Sequence, residues 1–119
     1  MCLVFESKRL NAPDSNAGEY VGKSGMMCFV TGKYSRGMPL GGMIGYVMDG
    51  DLPRAHRNVL RAIQREREAL RISPGGDFQP TPLLPDSTWH GETHHQRADG
   101  VIAVFHLLLP VKCRLANPN

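Results

Sequence analysis

Apolar residues along the chain fall into short continuous runs and one periodic stretch. The runs are Cys2-Leu3-Val4-Phe5, Met26 to Thr31, Met43 to Met48 and Val101 to Leu107. An apolar run of ~4–8 residues bounded by turn chemistry reads as a buried strand. The periodic stretch behaves differently. Leu52, Ala55, Val59, Ala62, Ile63, Ala69 and Leu70 recur close to every 3.6 residues, which predicts an amphipathic helix over residues 52–72. Asp49 or Asp51 supplies a cap, Pro53 suits the first turn, and Ser73-Pro74-Gly75-Gly76 ends the helix.

Turn residues divide these elements. Asn11 to Gly18 is rich in Asn, Pro, Asp, Ser and Gly. Residues 18–50 hold nine of the 13 glycines, and Lys33 to Gly42 reads as the connection between the second and third strands. Two strands joined in this way predict an antiparallel pair. Residues 73–100, with Pro74, Pro80, Pro82 and Pro85, are expected to form one long Pro/Gly/His-rich loop, with room for short elements around Ser87 to Gln96. The resulting order is roughly β-β-β-α-loop-β. It predicts an α+β fold, with an antiparallel sheet packed on one amphipathic helix and residues 1–119 forming a single domain.

Composition narrows the classes. The 119 residues are 41% hydrophobic and 21% charged, which fits a globular chain and opposes a disordered tail. The longest apolar stretch, Val101 to Leu109, is about half the length of a membrane-spanning helix and contains His106. The first residues show no basic start followed by an apolar segment, so no secretory leader is expected. Cys2, Cys28 and Cys113 are odd in number and widely spaced. They form neither a disulfide framework nor a CxxC metal or redox motif, and they predict a cytoplasmic protein. Cys28, within an apolar run, is expected in the core.

The net charge of +3 is concentrated: residues 51–72 carry six arginines against Asp51, Glu66 and Glu68. Arg54, Arg57, Arg61 and Arg65 lie three and four apart, on the side of the predicted helix opposite Val59 and Ile63. At 1.5 Å per residue they form a ridge about 16 Å long. Such a ridge suits an acidic protein surface or a phosphate backbone; alternatively, it is a solvated face whose arginine stems cover apolar surface.

Two further patterns carry candidate chemistry. Ala17-Gly18-Glu19-Tyr20-Val21-Gly22-Lys23-Ser24 is similar to a phosphate-binding loop, but that motif needs a helix directly after it, and a strand-like run follows here. His90, His94 and His95 cluster near Glu92, Asp86 and Asp99. Imidazoles four apart suit zinc or another divalent metal, although Gly91 opposes the helix this spacing requires. Trp89 beside them is a candidate interface anchor.

No motif for nucleophilic or two-carboxylate catalysis is present. The sequence therefore favours a small non-enzymatic binding protein, a regulator or inhibitor, without a cofactor. It would dock on a larger protein or protein–nucleic-acid assembly through Arg54, Arg57, Arg61 and Arg65, helped by Trp89. One alternative is direct nucleic-acid binding by the same arginines. The other is a metal-dependent hydrolase or nuclease built on His90, His94 and His95. No membrane partner is expected.

Overall fold

The computed structural model describes residues 4–10, 15–32, 37–84 and 88–111. Its elements are strand β1 (Phe5–Leu10), helices α1 (Ser15–Val21) and α2 (Met27–Val30), strand β2 (Leu40–Val47), helix α3 (Leu52–Arg65), and strands β3 (Gly91–Arg97) and β4 (Gly100–Pro110). The four strands form one sheet in the order β1-β2-β4-β3. This is a small α+β domain, as the alternation of runs and period predicts.

The strand pairing differs from the antiparallel expectation. β1 pairs with β2, and β2 with β4, in parallel; only β3 and β4 pair antiparallel. The cause is local. Parallel strands need a crossover, and one crossover lies where a strand was expected. Residues 27–30 of the Met26–Thr31 run form α2, with Cys28, Phe29 and Val30 buried. A run this short suits a buried helical turn as well as a strand. The sharp corner before it decides between them. Gly25 donates to the Gly22 carbonyl at 2.9 Å and Met26 to the Tyr20 carbonyl at 2.9 Å. A Cβ at Gly25 would overlap the Tyr20 and Glu19 carbonyl oxygens, so only glycine lets the chain turn here.

The periodic stretch forms α3 as expected, but the helix ends at Arg65 rather than near residue 72. The Asp51 side chain accepts from the Arg54 amide at 3.1 Å, and proline occupies the first turn. Beyond Glu66 the chain continues in turns, and Arg71 takes a left-handed conformation with φ of 52°. Ala55, Val59, Ala62 and Ile63 form the buried stripe of α3.

The expected 73–100 loop contains structure. Residues 72–79 run beside β3, bridging Ile72 to His95 and Gln79 to Glu92. The Ser73 amide donates to the His94 carbonyl, and the His94 amide to the Gly76 carbonyl, both at 2.9 Å. These bonds satisfy the outer backbone edge of β3.

The sheet has two unlike faces. The inward face carries Met43, Val47, Ile102, Val104 and Leu108, and the helices cover it. Phe29 fills the space above Gly41, and Tyr20, Leu10 and Leu108 close over Gly45, so these glycines admit helices α2 and α1 at close range. α1 also packs on α3, and α3 on β4. The outward face, on the opposite parity of each strand, has no helix over it among the described residues.

Candidate functional site

The arginine ridge forms, but in shortened form. Arg54 is paired with Asp49 and lies 3.8 Å from Asp51, so its charge is spent locally at the helix start. Arg57 and Arg61 are exposed and make no ion pair among the described residues. Arg65, also exposed, lies 3.7 Å from Glu66. The outward cations of α3 are therefore Arg57, Arg61 and Arg65, one per turn.

The ridge leads into a groove. Arg65, Glu66 and Ala69 form one wall of a cavity of about 330 Å³, with Lys23, Gly22 and Gly18 across from them. Met27 and Ala69 also line a second cavity of about 480 Å³, which continues past Val30 to Arg71, Arg97 and Asp99. The floor is apolar, and the rim is mainly cationic. Arg97 is not available to a ligand. It is nearly fully buried and donates to Asp99 at 2.8 Å, the Met38 carbonyl at 2.7 Å and the Phe29 carbonyl at 3.3 Å. It ties the β3–β4 turn to the end of α2. Asp99 also accepts from the Gly37 amide, and this bond, more than the Arg97 charge, holds its carboxyl below the usual range. Lys23 and Arg71 are exposed and make no ion pair among the described residues.

Lys23 belongs to the phosphate-loop-like string, and the structure shows why that string lacks the loop's chemistry. A phosphate cradle needs free backbone amides. Here the string runs through helix α1 (Ser15–Val21) into a turn whose Gly22 amide donates to the Glu19 carbonyl, and the helix after it, α2, is a single turn that begins only at Met27, three residues past Ser24. Lys23 remains as a surface cation beside Arg65. Cys28 is buried, as expected, and its thiol donates to the Lys23 carbonyl at 3.1 Å.

The three histidines do not converge. Strand geometry places His94 and His95 on opposite faces of the sheet. His94 faces outward and meets Glu92 at 2.5 Å, while His95 points into the core. His90 donates from Nε2 to the Leu108 carbonyl at 3.2 Å. Among the described residues, no group of three metal-ligating side chains comes together. Asp86 lies outside the described residues. Trp89 is half-buried against the core. It stacks edge-on to His56 at 5.3 Å, and Phe78 flanks the same imidazole at 5.2 Å. Burial in this apolar wall lowers the His56 pKa.

The most ordered polar feature was not legible in the sequence. Tyr20, His106, Thr93 and His95 are fully buried and joined in one hydrogen-bond chain. The contacts are Tyr20 Oη to His106 Nδ1 at 2.8 Å, His106 Nε2 to Thr93 Oγ1 at 2.8 Å, Thr93 Oγ1 to His95 Nε2 at 2.7 Å, and His95 Nδ1 to the Leu70 carbonyl at 2.7 Å. One end fixes every proton. A carbonyl only accepts, so His95 Nδ1 carries hydrogen and donates. Burial pushes the His95 pKa down to about 4, more than the Leu70 carbonyl raises it. The ring is neutral at pH 7, and its Nε2 accepts from the Thr93 hydroxyl. Thr93 must then accept from His106 Nε2–H, which leaves His106 Nδ1 to accept from the Tyr20 hydroxyl. Burial pushes the His106 pKa to about 3 and raises that of Tyr20, so both stay neutral in these roles. Every polar atom in the chain has its partner, and none reaches solvent. The arrangement specifies the core rather than presenting a reactive group.

No protein family, curated protein or solved structure matches the chain. Among the described residues, no helix is long and apolar enough to cross a membrane.

Proposed function

We propose that this is a cytoplasmic binding protein, a regulator or inhibitor, that docks on the acidic surface of a larger protein or protein–nucleic-acid assembly through the outer face of α3. The observation that carries this reading is the pair Arg57 and Arg61: both exposed, one turn apart, and without an acidic partner among the described residues. Like charges four apart on a helix repel by a few tenths of a kcal/mol, so a partner's negative charge relieves a cost that the folded chain carries alone. Arg65, Lys23 and Arg71 extend the same charge along an apolar groove, which offers anchor pockets beside the ionic contacts.

The test is a tagged pull-down comparing the parent with the Arg57→Glu, Arg61→Glu double variant, with and without nuclease. The expected result is a protein partner that survives nuclease and is lost with the variant. Identical capture by the variant would remove α3 from consideration. If nucleic acid is recovered and its companions vanish after nuclease, the ridge grips phosphates directly. Three contacts, from Arg57, Arg61 and Arg65, then give a slope of log affinity against log salt near about −2.7, at about −0.9 per contact.

A further inference from the structure

Arg65 belongs to two features: it ends the exposed ridge of α3, and it stands on the rim of the groove beside that helix. The groove holds two cavities in series, of about 330 Å³ and about 480 Å³, which meet at Met27 and Ala69. Each has the size of a ligand pocket, ~300–1,000 Å³. Val21 and Met27 give the first cavity its apolar surface, and Met27 and Val30 the second. Met27 is half-buried where the two meet, and an unbranched thioether adapts to whatever lies against it.

The rim charge is one-sided. Lys23 and Arg65 flank the first cavity and Arg71 the second. Lys23 and Arg71 make no ion pair among the described residues. The two acids on the same walls are engaged: Glu66 lies 3.7 Å from Arg65, and Asp99 accepts from Arg97 and from the Gly37 amide. An apolar groove with unmatched cations along it is complementary to a chain that carries apolar and acidic side chains together. Gly18 points the same way. It lies within α1, where glycine is less favourable than alanine. A Cβ at Gly18 would meet nothing within 4 Å, and its φ is not left-handed, so neither packing nor backbone conformation requires glycine there. Its effect is to leave one wall of the first cavity bare.

We propose that the groove receives an acidic peptide segment of the partner that docks on α3, with an apolar side chain in each cavity and carboxylates against Lys23, Arg65 and Arg71. The proposal rests on the α3 docking reading and adds the chemistry of the segment that the partner presents. Two cavities in line favour a chain over a single small molecule, since an extended peptide sends alternate side chains to one side, about 7 Å apart. A phosphate backbone would meet the cations but has no apolar side chains for the cavities.

The test is fluorescence anisotropy on the full chain at physiological salt, with a labelled peptide that holds two leucines and three glutamates among serines. One control peptide replaces the leucines by serine, the other the glutamates by lysine. The expected result is that the probe binds and that each control binds at least about tenfold more weakly. Gly18→Leu, which puts a side chain into the first cavity, and Lys23→Glu are each expected to weaken the probe at least about fivefold. Leucine is the better helix former and Lys23 is exposed, so circular dichroism and the thermal transition should be kept. Arg57 lies about 12 Å along α3 from Arg65, beyond the screening length of ~8 Å, so Arg57→Glu should change probe binding less than about twofold. Failure of the groove and failure of the ridge give different results. If Arg57→Glu with Arg61→Glu loses the partner while Gly18→Leu and Lys23→Glu bind the probe as well as the parent, the groove proposal is overturned and α3 docking stands. If that double variant keeps the partner while the groove variants lose the probe, the groove takes an acidic peptide and the α3 reading alone falls. A control peptide that binds as well as the probe would overturn the proposal. So would laurate or a short oligonucleotide that binds where the probe does not, each naming a different occupant.

Discussion

Thr93 has one hydroxyl and serves two imidazoles, so the buried chain depends on it. Thr93→Val keeps shape and volume but removes the acceptor for His106 Nε2–H and the donor to His95 Nε2. Each orphaned buried group costs ~1–3 kcal/mol. The expected loss is about 2–5 kcal/mol, read as a lower urea midpoint with an unchanged slope. The histidines also set a pH dependence. Both pKa values are lower in the folded protein, about 4 for His95 and about 3 for His106, against 6.5 for an ordinary imidazole. Below pH 6.5 the unfolded chain takes up protons that the folded one refuses, so stability falls as the solution is acidified. It is fully present above the ordinary value and declines down to the folded values. Burial is the main cause in both, with smaller contributions from His94 on His95 and from His95 on His106. Between pH 7 and pH 5 the two rings together remove roughly 4 kcal/mol, at about 1.4 kcal/mol per unit each. Urea titrations at the two pH values check this. Equal stability at both would mean that the rings are charged or solvated in the folded state. Little of this was legible beforehand. The alternation Thr93, His95 and the position of His106 in an apolar run hinted at inward polar groups, but Tyr20 reaches them from the glycine-rich string that is similar to a phosphate-binding loop.

At the scale of elements, legibility followed length. Helix α3 was clear because several turns of period agree with a cap, a proline and a glycine stop, and β4 because its apolar run is long. The Met26–Thr31 run was misread because a handful of apolar residues carries no period. Its helical state is set by the Gly25 corner before it, and the turn then places Phe29 over Gly41. β3 shows in the sequence only as room for a short element around Ser87 to Gln96, because Gly91 to Arg97 is polar in composition and its burial comes from hydrogen bonds no pattern reveals. The helix start gives a direct check. Asp51→Ala removes the oxygen bonded to the Arg54 amide and should cost about 1 kcal/mol. The ridge gives a sharper one. Arg61→Glu replaces two like-charge pairs, with Arg57 and Arg65, by two attractive ones, each worth ~0.2–0.5 kcal/mol on a helix. Each exchange removes a repulsion and adds an attraction, so the variant should be more stable by about 1–2 kcal/mol in chemical denaturation, while partner capture falls. A loss of stability would mean that the Arg61 stem covers apolar surface and that the ridge is a solvated face.

At the scale of the molecule, a single sheet separates two surfaces of opposite character. The helical layer carries the basic ridge and groove, while the bare face is apolar and uncharged at its centre. They lie on opposite sides of the sheet, further apart than contacting groups, so their energetics should add. Arg61→Glu and Val101→Lys should therefore change stability independently. The shift of the double variant in chemical denaturation should equal the sum of the two single shifts to within about 0.5 kcal/mol. A larger departure would mean that the ridge on the helical layer and the bare face of the sheet are coupled through the core that lies between them.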